Sequence, residues 1–177
     1  MGLMAVLAPA IARADEPGPA PSTGASLHPD IGGHVGIATT LVTLGSDKTT
    51  TISDQFTLAF PIGIGFKLTD KVAIDFETVV GNPISPRGIT SLTVDPGLVY
   101  DMGSVVIGLR LAFGIGGPTN FGLIPLVHKG VSDLGHGATW FVEAAFPTSV
   151  SLIAGTPPAS DETKFAFNVV FHTGIGF

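Results

Sequence analysis

Residues 165–177 read FAFNVVFHTGIGF. Phe165, Phe167, Val169, Phe171, Thr173, Ile175 and Phe177 fall on one side of an extended strand. Ala166, Asn168, Val170, His172, Gly174 and Gly176 fall on the other. Successive strand side chains point to opposite faces, so the segment has one apolar face and one small or polar face. A helix would scatter the same residues around its circumference.

The composition asks where such a face could be placed. Charged residues are 12% of the 177-residue chain and apolar residues 45%, with a mean hydropathy of +0.51. That is too apolar and too sparsely charged for an ordinary soluble domain. Beyond residue 14 no run reaches the roughly 18 apolar residues that a helical span needs. A closed β-barrel satisfies both facts, because backbone groups in lipid must all be paired and a closed sheet has no free edge. Cysteine is absent, which excludes disulfides and thiolate metal sites.

Residues 1–14 (MGLMAVLAPAIARA) are apolar, too short to span, and end in Ala12-Arg13-Ala14, the small-x-small pattern of a secretory cleavage site. They are expected to be a signal peptide, although no Lys or Arg precedes the apolar run; the competing reading is a short buried helix. Residues 15–30 (DEPGPAPSTGASLHPD) have no periodicity and read as a flexible periplasmic lead-in. The barrel is expected over 31–177.

The chain from Ile31 supplies eight strands. Ile31 to Leu44 is the first, followed by a polar loop over 45–54. In the second, Phe56, Leu58, Phe60, Ile62, Ile64, Phe66 and Leu68 occupy every even position. After the turn at Thr69-Asp70-Lys71, Val72 to Thr78 alternates with Asp75 and Glu77 on the small face, and 81–88 reads as a loop. The fourth strand is Ile89 to Asp101. Past Met102-Gly103-Ser104, the fifth sets Val105, Ile107, Leu109, Leu111, Phe113 and Ile115 opposite Val106, Gly108, Arg110, Ala112, Gly114 and Gly116. Phe121 to His128 is the sixth, Lys129 to Gly137 a connection, Thr139 to Phe146 the seventh, and Pro147 to Thr163 a long loop. Short and long connections alternate, as they do in a barrel with both termini on the periplasmic side. Pro61, Pro96 and Pro125 oppose the pattern, since each removes a ladder hydrogen bond, and Asp95-Pro96-Gly97 also reads as a turn.

With this alternation and its closing aromatic, the last strand resembles the C-terminal signature of bacterial outer-membrane β-barrels. Residues 31–177 resemble the small eight-stranded barrels of the OmpA and OmpX type. The resemblance implies an all-β, transmembrane, antiparallel up-and-down barrel in the outer membrane of a Gram-negative cell. It further implies that Phe165, Phe167, Val169, Phe171, Ile175 and Phe177 form the assembly signal read by the barrel-assembly machinery, and that the last strand closes against the first.

Polarity is inverted relative to a soluble barrel: the unbroken apolar face must look out to lipid. Phe66, Tyr100, Trp140 and Phe177 are expected at the periplasmic interface, and Phe56, Phe113, Phe146 and Phe165 at the outer one. The inward set is Lys67, Asp75, Glu77, Asp95, Arg110, Glu143, Asn168 and His172. Eight strands leave an interior only about wide enough for side chains, so Arg110 is expected to pair with Asp75, Glu77 or Asp95 in a plug rather than a conducting pore.

Catalytic and metal readings are weaker. The GxG triplets at Gly63, Gly114 and Gly174 lie inside strands and complete no phosphate-binding motif. His128, Asp133 and His136 are candidate metal ligands without template spacing. His128, Ser132 and Glu143 have the residue types of an outer-membrane lipid deacylase, but Lys129-Gly130 replaces that family's close His-x-Ser motif. Net charge is −6 and the basic residues are dispersed, which argues against nucleic acid. The expectation is a monomeric, non-enzymatic barrel without a cofactor, serving an envelope-structural role or presenting its surface loops to an external ligand. The alternatives are a narrow passage for small or apolar solutes, and lipid hydrolysis.

Overall fold

A computed structural model describes residues 30–116, 119–154 and 160–177. The signal-peptide reading of 1–14, and the lead-in up to residue 29, lie outside the described residues. The strands are β1 (Ile31–Gly45), β2 (Thr49–Thr51), β3 (Phe56–Lys67), β4 (Val72–Ser85), β5 (Ser91–Asp101), β6 (Val106–Ile115), β7 (Thr119–Gly135), β8 (Ala138–Ala145), β9 (Thr148–Ile153) and β10 (Glu162–Gly176). No described residue is helical.

Each strand pairs antiparallel with its neighbours, and β10 returns to β1. At that seam His34 lies opposite Gly176 and Gly45 opposite Ala166, with a register shift between Thr40 and Val42. The C-terminal residue is tied in: the Gly33 N–H donates to the Phe177 carbonyl at 2.7 Å, and the Phe177 N–H to the Gly33 carbonyl at 2.9 Å. Closure pairs the first strand with the last, which is the condition for a sheet to sit in hydrocarbon.

The ten strands make eight staves. β2 is a flap on β1, pairing with Val42 to Leu44. β8 and β9 are one stave. Ala145 opposes Val170 and Thr148 opposes Phe167 without a change of register. The ladder is interrupted only where Pro147 has no N–H to give. Around that point the Phe146 N–H donates to the Pro125 carbonyl at 2.9 Å, and the Asn168 N–H to the Pro147 carbonyl at 2.7 Å.

Segments read as loops from sequence therefore contain strand, β2 within 45–54 among them. β4 continues through Gly81 to Ser85, β7 through Lys129 to Gly135, and β9 occupies 148–153 of the supposed loop 147–163. The reason is that staves outrun the hydrocarbon. Past the interface both faces of a strand meet water, so the apolar alternation fades while the backbone ladder continues. The prolines do not end strands either. Register is the same on both sides of Pro96, with Val94 opposite Phe113 and Gly97 opposite Arg110, so Asp95-Pro96-Gly97 is strand and not turn.

The connections sort by end. β3–β4, β5–β6 and β7–β8 close in tight turns at the end of the barrel where the β1–β10 seam carries Ile31 and Phe177. Gly103, Gly135, His136 and Gly137 hold positive φ there, and the Asp101 and Asp133 carboxylates accept the N–H groups of Gly103 and Gly135 at 2.6 and 2.7 Å. The connections after β1, β4 and β9, which include the longest, lie at the other end, the loop side, where β6 and β7 are also joined by 116–118. There Lys164 on β10 bonds Asp47 at 2.7 Å, and its ammonium holds that carboxyl below the usual carboxylate range.

The exterior is apolar. Phe60, Leu109 and Phe171 are 40%, 49% and 43% exposed, whereas the intervening Pro61, Arg110 and His172 are buried. This polarity is that of a transmembrane barrel. Leu109→Arg, on the outer face beside buried Arg110, is expected to cost about 2–4 kcal/mol if it lies near the bilayer midplane, measured by urea unfolding in lipid vesicles.

Candidate functional site

The lumen is where the described residues bring charge together. Asp75 and Glu77 on β4, Asp95 on β5, Arg110 on β6, Glu143 on β8 and His172 on β10 all turn inward, and each is buried. The Arg110 Nε donates to Asp75 Oδ2 at 2.6 Å, and its Nη1 to Glu77 Oε1 at 3.2 Å and to Glu143 Oε1 at 3.1 Å. One guanidinium thus joins staves on opposite sides of the cylinder. Removing a partner would leave buried charge uncompensated.

Histidines extend the cluster toward the turn side. The His34 Nε2 faces Glu77 Oε2 at 2.7 Å, His172 Nδ1 faces Glu143 Oε1 at 3.3 Å, and His128 Nδ1 lies 3.5 Å from Glu143 Oε2. An ionised carboxylate only accepts, so these ring nitrogens are the donors. Phe141 is buried among them. Its ring meets His34 and His172 edge-on at centroid distances of 5.9 and 5.0 Å, and lies 4.5 Å from His128.

Glycines make the space. A Cβ on Gly63 would collide with the His34 ring, and one on Gly174 with the Val35 carbonyl and, at 2.9 Å, with Phe141. A Cβ on Gly97 would stand 2.5 Å from the Leu109 carbonyl oxygen and 2.7 Å from the Arg110 Cα, both backbone atoms with nowhere to move. The glycine on the inward face of β5 thus lets the Arg110 backbone approach.

The cluster divides the lumen. On the loop side lies a vestibule of about 300 Å³ walled by small residues such as Ala59, Thr93, Ala112 and Ser149, with Glu77, Asp95, Arg110, Glu143 and His172 as its floor. On the turn side lies a chamber of about 210 Å³ lined by His34, Val99, Leu126, His128 and Phe141. Arg110 and Glu143 line both and form the partition. Asn120 joins the vestibule to a cavity at the loop-side mouth, and Val99 and Val106 join the chamber to one at the turn-side mouth.

Not every residue read as inward joins the cluster. Lys67 lies exposed at the turn-side mouth, because its place at the end of β3 puts it beyond the packed section. Asn168 lines the vestibule and accepts a hydrogen bond from Thr43 Oγ1 at 2.6 Å, away from Arg110. His34 and Phe141 belong to the centre although sequence reasoning did not single them out. The signal was their parity: His34 shares the inward register of Gly36 and Ala38, and Phe141 that of Glu143.

The grouping of His128, Asp133 and His136 is not kept. His128 turns into the lumen, Asp133 caps a turn and His136 sits in it exposed. Among the described residues no group of three metal-ligating side chains is assembled. Of the deacylase trio, His128 meets Glu143, but the exposed Ser132 hydroxyl bonds the Asp133 carbonyl at 3.4 Å. Tyr100, Trp140 and Phe177 lie exposed on the turn side, with Phe66 half-buried. Phe56, Phe113 and Phe165 lie exposed toward the loop side, with Phe146 half-buried.

No protein-family model matches the chain, and no curated protein matches it. Similar solved structures include the outer membrane protein AlkL, determined by solid-state NMR in DMPC lipid bilayers. It is 13% identical, with a TM-score of 0.54 over 93% of this chain and 96% of that one. The outer membrane protein OprG of Pseudomonas aeruginosa is 12% identical, with a TM-score of 0.48 over 84% and 95%. The AlkL likeness concerns the fold.

Arg110→Met would leave Asp75, Glu77 and Glu143 buried without their shared partner, and is expected to destabilise the barrel by about 3–5 kcal/mol. Gly97→Ala, which only adds a methyl against backbone, should cost about 1–3 kcal/mol. Urea titration of both variants in vesicles, followed by heat-modifiable gel mobility, measures the two effects.

Proposed function

We propose that the protein is a non-enzymatic bacterial outer-membrane barrel, closed at mid-height, that works through its loop side. One observation carries this reading: Arg110, bonded to carboxylates from two staves and backed by Phe141 and its histidines, stands between the two internal chambers. A continuous aqueous path through a cylinder of eight staves would need that layer to move. The apolar exterior, the seam at the last strand and the likeness to a barrel solved in lipid support the outer-membrane location. The loop side is favoured over the turn side because the connections after β1, β4 and β9 lie there and the vestibule opens toward it through Asn120. The barrel-assembly machinery is the expected partner in biogenesis, with β10 as the segment it reads.

A second reading has one observation in its favour. The chambers are separated by a single layer, so a small solute could cross if the Arg110 cluster rearranged. Recording from purified protein in planar bilayers separates the two readings. A closed barrel gives a silent membrane, and steady ohmic openings of wild type would overturn the proposal.

A further inference from the structure

The ionic balance of the lumen is incomplete. Arg110 already serves Asp75, Glu77 and Glu143. Asp95 remains: it is 2% exposed, accepts no hydrogen bond from any described residue, and its Oδ1 is buried without a partner. Burying a carboxylate unpaired is strongly unfavourable, so such a group is rare unless something completes it. Asp95 lies in the floor of the loop-side vestibule. Across the same floor, on β10, His172 has its Nε2 buried and unpartnered while its Nδ1 is engaged by Glu143.

The wall above the floor is a different surface. Ala59, Pro61, Val79, Ala112, Ile124 and Val170 bring apolar atoms to the vestibule, and Thr and Ser hydroxyls stand among them. A cavity of about 300 Å³ is at the small end of ligand sites, which combine mostly apolar walls with a few placed polar groups. An anion is disfavoured, because the carboxylates of the floor outnumber the one guanidinium. A bare metal ion would find no described group of three ligating side chains.

We propose that the vestibule binds a small amphiphilic cation, with an ammonium head at Asp95 and a short hydrocarbon body along the apolar wall. The assignment rests on the closed lumen argued above, since an open pore would hydrate Asp95 and remove the need for a partner.

The test uses the whole barrel in lipid nanodiscs at pH 8 and saturation-transfer NMR with n-butylammonium, n-butanol and butyrate as probes. Wild type should bind butylammonium saturably and both isosteres far more weakly. Asp95→Asn, which keeps the shape and removes the charge, should weaken butylammonium by about tenfold or more. Ala59→Phe, which fills the vestibule and leaves Asp95 intact, should abolish the signal. Heat-modifiable mobility reports that each variant is folded, and either variant alone suffices if the other is not. Absence of saturable binding by wild type, equal binding of butyrate, or a folded variant that binds like wild type would overturn the assignment. Bilayer recordings on the same preparation keep the two ideas apart. A silent barrel that ignores butylammonium sinks this inference alone, whereas a conducting wild type sinks the closed-lumen reading.

Discussion

The ladder between β1 and β10 is the contact on which everything else depends. In hydrocarbon a backbone N–H or C=O has no water to turn to, so a sheet survives only if its first and last strands find each other. Here they do so from His34 opposite Gly176 to Gly45 opposite Ala166, with Phe177 locked to Gly33 beyond. Closure in turn fixes parity. Once β10 is in register, a slip of one residue would send His172 into lipid and Phe171 into the lumen. The inverted polarity and the interior charge therefore follow from one pairing.

What closure imposes on the interior is crowding. Side chains from every stave converge on one narrow axis, and the chain meets this by alternating bulk with glycine. Arg110 sits over Gly97, His34 over Gly63, and Phe141 over Gly174. The guanidinium suits this place because its donors fan out in a plane and reach carboxylates on different staves at once. A lysine offers a single point of charge and could not span Asp75 and Glu143 in the same way. Ionic and steric fit are thus one arrangement, and the partition between the two chambers is its result.

Much of the architecture was legible in the residues. β3 and β10 carry unbroken alternation because both lie within the apolar belt for most of their length, and there the environment dictates every second side chain. The ends of β4, β7 and the β8–β9 stave were not legible for the converse reason. Outside the belt the environment is water on both faces, and pattern no longer reports structure. Pro147 misled in a further way: a missing N–H looks like a strand end, yet Phe146 and Asn168 keep the ladder on either side of it. In the lumen, parity placed Asp75, Glu77, Asp95, Arg110, Glu143 and His172 on the inner face. It could not tell how far along the axis each one lies, so Lys67 shared their phase and yet sits at a mouth. From sequence, His128 reads as the last residue of its strand and groups with Asp133 and His136 of the connection, whereas β7 runs on past it to Gly135.

Because the chain contains no cysteine, single cysteines can be placed along β10 from 166 to 175 and spin-labelled in vesicles. Collision with oxygen, which concentrates in the hydrocarbon, then reads each side chain's surroundings directly. An outward Phe171 and an inward His172 require a strict two-residue alternation, with high collision rates at 167, 169, 171, 173 and 175 and low rates at the positions between. Alternation in the opposite phase, or a period near 3.6, would contradict it.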